Sequence, residues 1–218
     1  MLSVVMITMN EEKAIAQVVA GIRRDAPGAE ILIVDSSRDK TPEIAAALGV
    51  KVIRQFPPCG YGPAMDLALR SASGDVIATL DCDNTYPTAM LPELARLIRE
   101  EGYDLVDASR LKSKPKAMPW INYVGNKIFA WLASILFFQH FTDLHSGMRA
   151  YRKTLIDALK YEARGAALPV ELLLRPVKEG YKLKVVYIDY NEREGQSKMN
   201  PFDTCRGTLK RIFRARFK

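Results

Sequence analysis

Apolar runs and helical stretches take turns along the first half of this chain, and that alternation constrains its fold more than any other feature. Residues 2–8 are a near-continuous apolar run, suited to a strand buried on both faces. Acids at 11 and 12 open a helix that extends to about residue 24. EILIV at 30–34 reads as a second strand, followed by a Ser/Asp-rich turn, a helix over 42–48 and a third strand over 50–54. After a Pro-Pro-Cys-Gly loop come a helix over 61–71, a fourth strand over 75–80 (DVIATL), a helix over 87–100 and a fifth strand over 104–109. This order predicts an α/β fold, a mostly parallel sheet with helices on both faces. Three polar clusters, Asn10-Glu11, Asp35-Ser36-Ser37 and Asp81-Cys82-Asp83, fall at the carboxyl ends of strands, where such sheets hold their ligands.

The second half is less regular. It reads as an apolar helix within 120–141, a short strand over 148–151, a helix over 169–179 closed by Gly180, an alternating strand over 182–190 and a polar loop over 191–200. No linker composition appears, so one domain is expected, its main body over 1–200 carrying a basic amphipathic C-terminal helix over 201–218.

Composition narrows the setting. Hydrophobic residues at 48% suffice for a full core. Cys59, Cys82 and Cys205 are isolated, which suggests neither a disulfide framework nor a cysteine zinc site and fits a reducing compartment. The chain opens on an apolar strand rather than a basic n-region, so no secretory signal is expected. The net charge of +7 is concentrated late: Arg206, Lys210, Arg211, Arg214, Arg216 and Lys218 lie among Leu209, Ile212, Phe213 and Phe217 with no acid. Such a helix suits an anionic membrane surface, and equally a core-packing helix with a solvated basic face. Nucleic acid is not expected as a partner, because no recognition motif accompanies the charge. Within 120–141, Asn122, Asn126 and Lys127 leave the apolar window short of the ~20 residues a membrane span requires, so an interfacial amphipathic helix is predicted, with a buried core helix as the alternative.

Asp81 and Asp83 carry the strongest chemical signal. Carboxylates at i and i+2 just past a buried strand can share one hard cation, Mg²⁺ or Mn²⁺, whose remaining ligands are phosphate oxygens and water. A divalent ion there would neutralise charge on a departing nucleoside diphosphate.

Seven segments in order resemble the family 2 glycosyltransferases of GT-A, Rossmann-like fold, in their dolichol-phosphate mannosyltransferase-like, polyprenyl-phosphate branch: TMNEE, IVDSSRDKT, GYGPA, SGDVIATLDCDNTYP, DASR, DLHSGMRAYRK and NEREGQSK. The resemblance covers nearly the whole chain. It implies an inverting enzyme that moves a sugar from a nucleotide-diphosphate sugar to a polyprenyl phosphate, as a peripheral protein on the cytoplasmic face of a membrane. Glu11 and Asp35 would then lie near base and ribose, with Ile7 where relatives often carry proline. Asp81 and Asp83 would hold metal and diphosphate, with Thr85 nearby. Arg193 and Lys198 would bind the diphosphate and steady the leaving group, beside Asp83 in the catalytic set. Arg110, Ser146 and Arg149 would line the acceptor side, and His145 is a further acceptor-side candidate. The chain departs from the pattern at VDSSRD, where relatives commonly show VDDGSxD, which bears on Asp35.

Plainer roles fit several of these residues. Glu11 suits a helix N-terminus, Asp35 a turn, Arg110 and Arg149 structural ion pairs, and Arg193 with Lys198 a solvated loop. A polyprenyl phosphate is already ionised, so its attack requires no general base. A hydroxyl acceptor requires one, and Glu171 is then the residue to test. The alternatives are therefore a glycosyltransferase with a soluble hydroxyl acceptor, a nucleotidyltransferase, and a non-enzymatic membrane adaptor.

Overall fold

The computed structural model describes residues 1–192 and 201–217. The strands are β1 (Leu2–Thr8), β2 (Glu30–Asp35), β3 (Lys51–Arg54), β4 (Val76–Thr79), β5 (Leu105–Ser109), β6 (Arg149–Arg152) and β7 (Leu183–Tyr187). The helices are α1 (Ile15–Asp25), α2 (Thr41–Ala47), α3 (Tyr61–Ser71), α4 (Leu91–Arg99), α5 (Trp120–Phe137), α6 (Lys153–Ala158), α7 (Leu168–Lys178) and α8 (Pro201–Phe217). Among the described residues the strands form one sheet in the order β3-β2-β1-β4-β6-β5-β7.

Period-two alternation within the apolar strands splits the core into two layers. Val4 and Met6 of β1 face one side, packed with Ile15, Val19 and Ile22 of α1 and Leu94 and Ile98 of α4. Val5 faces the other, with Met65 and Leu69 of α3, Leu172 of α7 and Ile212 of α8. Because both faces are covered, β1 and β2 are apolar at nearly every position rather than at every second one.

The sheet is mostly parallel, as expected, with β6 running antiparallel between β4 and β5. The β5–β6 register sets Asp107 directly opposite Arg149, so the strand is docked by a buried ion pair that local pattern cannot reveal. Helix α1 starts at Ile15, not near residue 11 as expected. The amides of Asn10, Glu11 and Glu12 are instead taken by Ser37 Oγ (2.8 Å), Thr41 Oγ1 (2.9 Å) and Asp39 Oδ2 (3.3 Å). Residues 9–14 are thereby stitched to the β2–α2 loop, with Asn10 in the left-handed region at φ 60.

Helix α8 packs along α7 and buries Thr208, Arg211, Ile212 and Ala215. The expected apolar stripe is divided: Ile212 joins the core, whereas Leu209, Phe213 and Phe217 stay exposed. Helix α5 also turns an apolar face outward, through Ile121, Val124, Ile128, Trp131 and Ile135 at helical spacing. No helix among the described residues is long and apolar enough to cross a membrane.

Candidate active site

Strand order reverses about β1: β2 and β3 continue to one side, β4 starts the other. A crevice must open there above the carboxyl ends of β1 and β4. A cavity of about 870 Å³ occupies it. Ile7 near the end of β1, Glu11 after it, Ser36 after β2, and Asp81 and Asp83 after β4 line it. Glu162, residues 164–167 and α8 complete its lining.

Asp83 is only 2% exposed, and its carboxylate is aimed by the next turn. The Thr85 amide donates to Asp83 Oδ1 at 3.2 Å and the Thr85 hydroxyl to the same oxygen at 2.6 Å. Asn84 takes a left-handed φ of 64 to close that turn. Cys82, between the two acids, is buried in the core, and burial, then Glu11, Asp83 and Asp81, push its thiol well up from the usual value. The Tyr61 hydroxyl is likewise raised, by burial and then by Asp81. In both groups burial is the larger cause, and the neighbouring carboxylates add to it.

Asp81 rests against Gly147, the residue two before β6. The Gly147 amide donates to the Tyr86 hydroxyl at 2.7 Å, and its carbonyl accepts from Thr79 Oγ1 at 2.8 Å. A Cβ added at Gly147 would lie 2.6 Å from Asp81 Oδ2 and 2.9 Å from its Cγ. Gly147→Ala must therefore swing the Asp81 carboxylate away. The expected result is a loss of turnover on the order of 10²-fold with little change in Tm, read by steady-state kinetics beside thermal denaturation.

The nucleotide-side candidates separate. Ile7 and Glu11 line the cavity. Asp35 does not: it is fully buried, accepts from Thr8 Oγ1 (2.6 Å) and Ser37 Oγ (2.5 Å), and pairs with Arg54. Its evident work is to tie the ends of β1, β2 and β3 together beneath the cavity, as the plainer reading of a turn acid allows.

The family model described as glycosyl transferase family 2 matches residues 3–160. The chain belongs to that family. A dolichyl-phosphate hexose transferase of Haloferax volcanii is 44% identical over 202 residues, covering 92% of this chain and 87% of the relative. An undecaprenyl-phosphate mannosyltransferase of Micrococcus luteus is 28% identical over 210 residues, covering 88% of this chain and 85% of the relative. Glucosyl-3-phosphoglycerate synthase from Mycobacterium tuberculosis, solved with Mn²⁺, uridine diphosphate and phosphoglyceric acid, superposes with a TM-score of 0.78 at 22% identity, covering 99% of this chain and 78% of that one. The shared architecture is the GT-A fold, and the protein is a glycosyltransferase.

In this family 2 enzyme the residues expected to line the acceptor side are turned inward. Arg149 is 1% exposed; its Nε bonds Asp107 at 2.6 Å and its other nitrogens reach the carbonyls of Pro169 and Leu144. Ser146 donates to the Ala108 carbonyl at 2.5 Å, fastening the loop before β6. Arg110 forms a two-pronged pair with Asp143 (2.7 and 2.9 Å) and lies 5.0 Å over the Tyr190 ring. Burial would raise the Asp143 carboxyl, but the Arg110 guanidinium holds it at about 2. None of these three side chains lines the cavity, and each arginine already has a carboxylate. Glu171 is also fully buried and held between Arg175 (3.1 Å) and Arg211, a poor setting for a general base. Arg193 and Lys198 lie outside the described residues.

His145 bridges two helices: Nδ1 meets Asn126 Oδ1 of α5, and Nε2 meets Thr208 Oγ1 of α8 at 2.8 Å. Burial pushes its imidazole down to about 4, against the pull of Asp143. Below pH 6.5 the unfolded chain takes up the proton first, so stability falls with pH from about 6.5 to about 4, with a slope of up to ~1.4 kcal/mol per pH unit. Urea midpoints measured across that window check this, and His145→Asn is expected to flatten the slope.

Sequence reasoning missed Gly147 and the cavity-facing cations of α8. The signal for the latter was present, since Lys210 and Arg214 are one helical turn apart and Arg211 adjoins them.

Proposed function

We propose that this glycosyltransferase moves a sugar, with inversion, from a nucleotide-diphosphate sugar to a polyprenyl phosphate at the cytoplasmic surface of a membrane. The observation that carries the donor half is the pairing of Asp81 and Asp83 in the cavity at the β1–β4 crevice. Two carboxylates, one fixed by Thr85 and one seated on Gly147, suit Mg²⁺ or Mn²⁺ whose other ligands come from the donor and water. When bound, that ion would supply Lewis-acid neutralisation of the diphosphate.

The chain's own residues do the rest. Glu11 and Ile7 hold the nucleoside end, and Arg193 and Lys198, assigned by motif, add fixed positive charge to the diphosphate as it departs. The acceptor phosphate oxygen attacks the anomeric carbon while the bond from that carbon to the diphosphate oxygen breaks. No proton has to be removed first, and Glu171, engaged by two arginines, is not placed to remove one.

The acceptor half is supported by the relatives that act on dolichyl and undecaprenyl phosphate and by the outward apolar face of α5 beside α8. Partition into phosphatidylglycerol vesicles is expected to fall about tenfold in Trp131→Glu with Tm unchanged, since Trp131 is 66% exposed. The deciding assay incubates the enzyme with Mn²⁺, radiolabelled uridine- or guanosine-diphosphate sugars and undecaprenyl or dolichyl phosphate. Label should enter the organic phase in an acid-labile lipid product, with the nucleoside diphosphate released. Release of pyrophosphate, or label only in water-soluble product, would refute the proposal.

A further inference from the structure

The chain leaving β7 runs against the turn that carries Asp81 and Asp83, and the chemistry proposed above makes no use of it. Strand-like alternation continues past Tyr187: Ile188 is buried, Asp189 exposed and Tyr190 half-buried against the core layer of α1 and α4. The Ile188 amide donates to the Ser109 carbonyl at 3.0 Å, so the chain is still held along β5 just before it reaches Tyr190.

Two neighbouring residues there touch the groups that hold the two carboxylates. The Tyr190 ring stands edge-on to Tyr86, with ring centres 5.6 Å apart and planes at 71°. Tyr86 is buried, and its hydroxyl accepts from the amide of Gly147, against which Asp81 rests. The Asn191 amide donates to the Thr85 carbonyl at 3.0 Å, and the Thr85 hydroxyl holds Asp83 at 2.6 Å. Tyr190 is itself held. The Arg110 guanidinium lies 5.0 Å over its ring and is fixed in orientation by its two bonds to Asp143. A continuous line of contacts thus runs from the buried Asp143–Arg110 pair through Tyr190, Tyr86 and Gly147 to Asp81.

We propose that Tyr190 is a positioning residue for the divalent-ion site: its ring, steadied by Arg110, keeps Tyr86 and Gly147 in place behind Asp81, while Asn191 beside it keeps Thr85 in place behind Asp83. This rests on the metal-holding role proposed above for the two acids and adds the residues that set their geometry. Two carboxylates that must converge on one small ion bind it more weakly when either can swing away, and groups that orient the ligands set affinity nearly as much as the ligands do. Tyr190 acts only through Tyr86, and the contacts on both sides of it are made by its ring rather than its hydroxyl. Arg110 thereby acquires a task in the site without touching either substrate.

The test is the Mn²⁺ affinity of the full chain with saturating uridine or guanosine diphosphate, whichever binds, read from the electron paramagnetic resonance of free Mn²⁺. Nucleotide affinity in EDTA is measured beside it by calorimetry. Tyr190→Leu, which keeps an apolar side chain but no ring, should bind Mn²⁺ about tenfold more weakly, with nucleotide affinity in EDTA within twofold of wild type. Tyr190→Phe, which keeps the ring, should match wild type within twofold. Tyr86→Phe, which takes the acceptor from the Gly147 amide, should weaken Mn²⁺ in the same sense and carries the test even if Tyr190→Leu does not fold. In transfer assays Tyr190→Leu should lose turnover at limiting Mn²⁺ and recover it as Mn²⁺ is raised, which a general loosening of the fold would not produce. Wild-type Mn²⁺ affinity in both Tyr190→Leu and Tyr86→Phe, an equal loss in Tyr190→Phe, or a parallel fall of nucleotide affinity in EDTA would overturn the positioning role and leave the proposed function standing. No nucleotide-assisted Mn²⁺ binding by the wild type would overturn both.

Discussion

Asp83→Asn is expected to lower sugar transfer by at least about 10³-fold, roughly 4 kcal/mol of transition-state stabilisation, while the protein stays folded. The amide keeps an oxygen to accept from Thr85, so the turn survives and only the charge is lost. Asp83→Ala should be equally inactive and a few degrees less stable, because it leaves the buried Thr85 hydroxyl without its acceptor. Steady-state transfer assays beside thermal denaturation check both halves. A folded Asp83→Asn enzyme within tenfold of wild-type turnover would remove the metal-centred account.

Arg149→Met is expected to act on the fold instead. The side chain is among the largest fully buried ones, and its loss strands Asp107, also 1% exposed, beside the central strands. Removing one partner of such a pair costs about 3–5 kcal/mol, enough to lower Tm by roughly 10 °C in a domain of this size. Burial already raises the Asp107 carboxyl to about 6 against the attraction of Arg149, which shows how poorly the site tolerates an unpaired charge. The double variant Asp107→Leu with Arg149→Met should recover much of the loss. If Arg149 served the acceptor directly, Arg149→Met would instead keep its Tm and raise the acceptor KM.

Legibility in the sequence followed the range of the interactions. Strands β1 and β2 and helix α3 were readable because double-sided burial and helical spacing are written in consecutive residues. The carboxylates at 81 and 83 were readable because the strand preceding them was. Strand β6 was placed in the chain but not in the sheet, since its position depends on pairing with β4 and β5 tens of residues away. The same long-range pairing hides the difference between a ligand-binding arginine and a structural one: Arg110 and Arg149 look alike until Asp143 and Asp107 are brought against them. Helix α8 was expected as a basic amphipathic segment, and the structure adds that Lys210, Arg211 and Arg214 line the cavity.

Binding of uridine and guanosine diphosphates, titrated calorimetrically with and without Mn²⁺, tests the central claim most directly. The account predicts that Mn²⁺ tightens at least one nucleotide by tenfold or more in the wild type and that Asp83→Asn abolishes the gain. Equal affinity in Mn²⁺ and in EDTA for every nucleotide bound would contradict it.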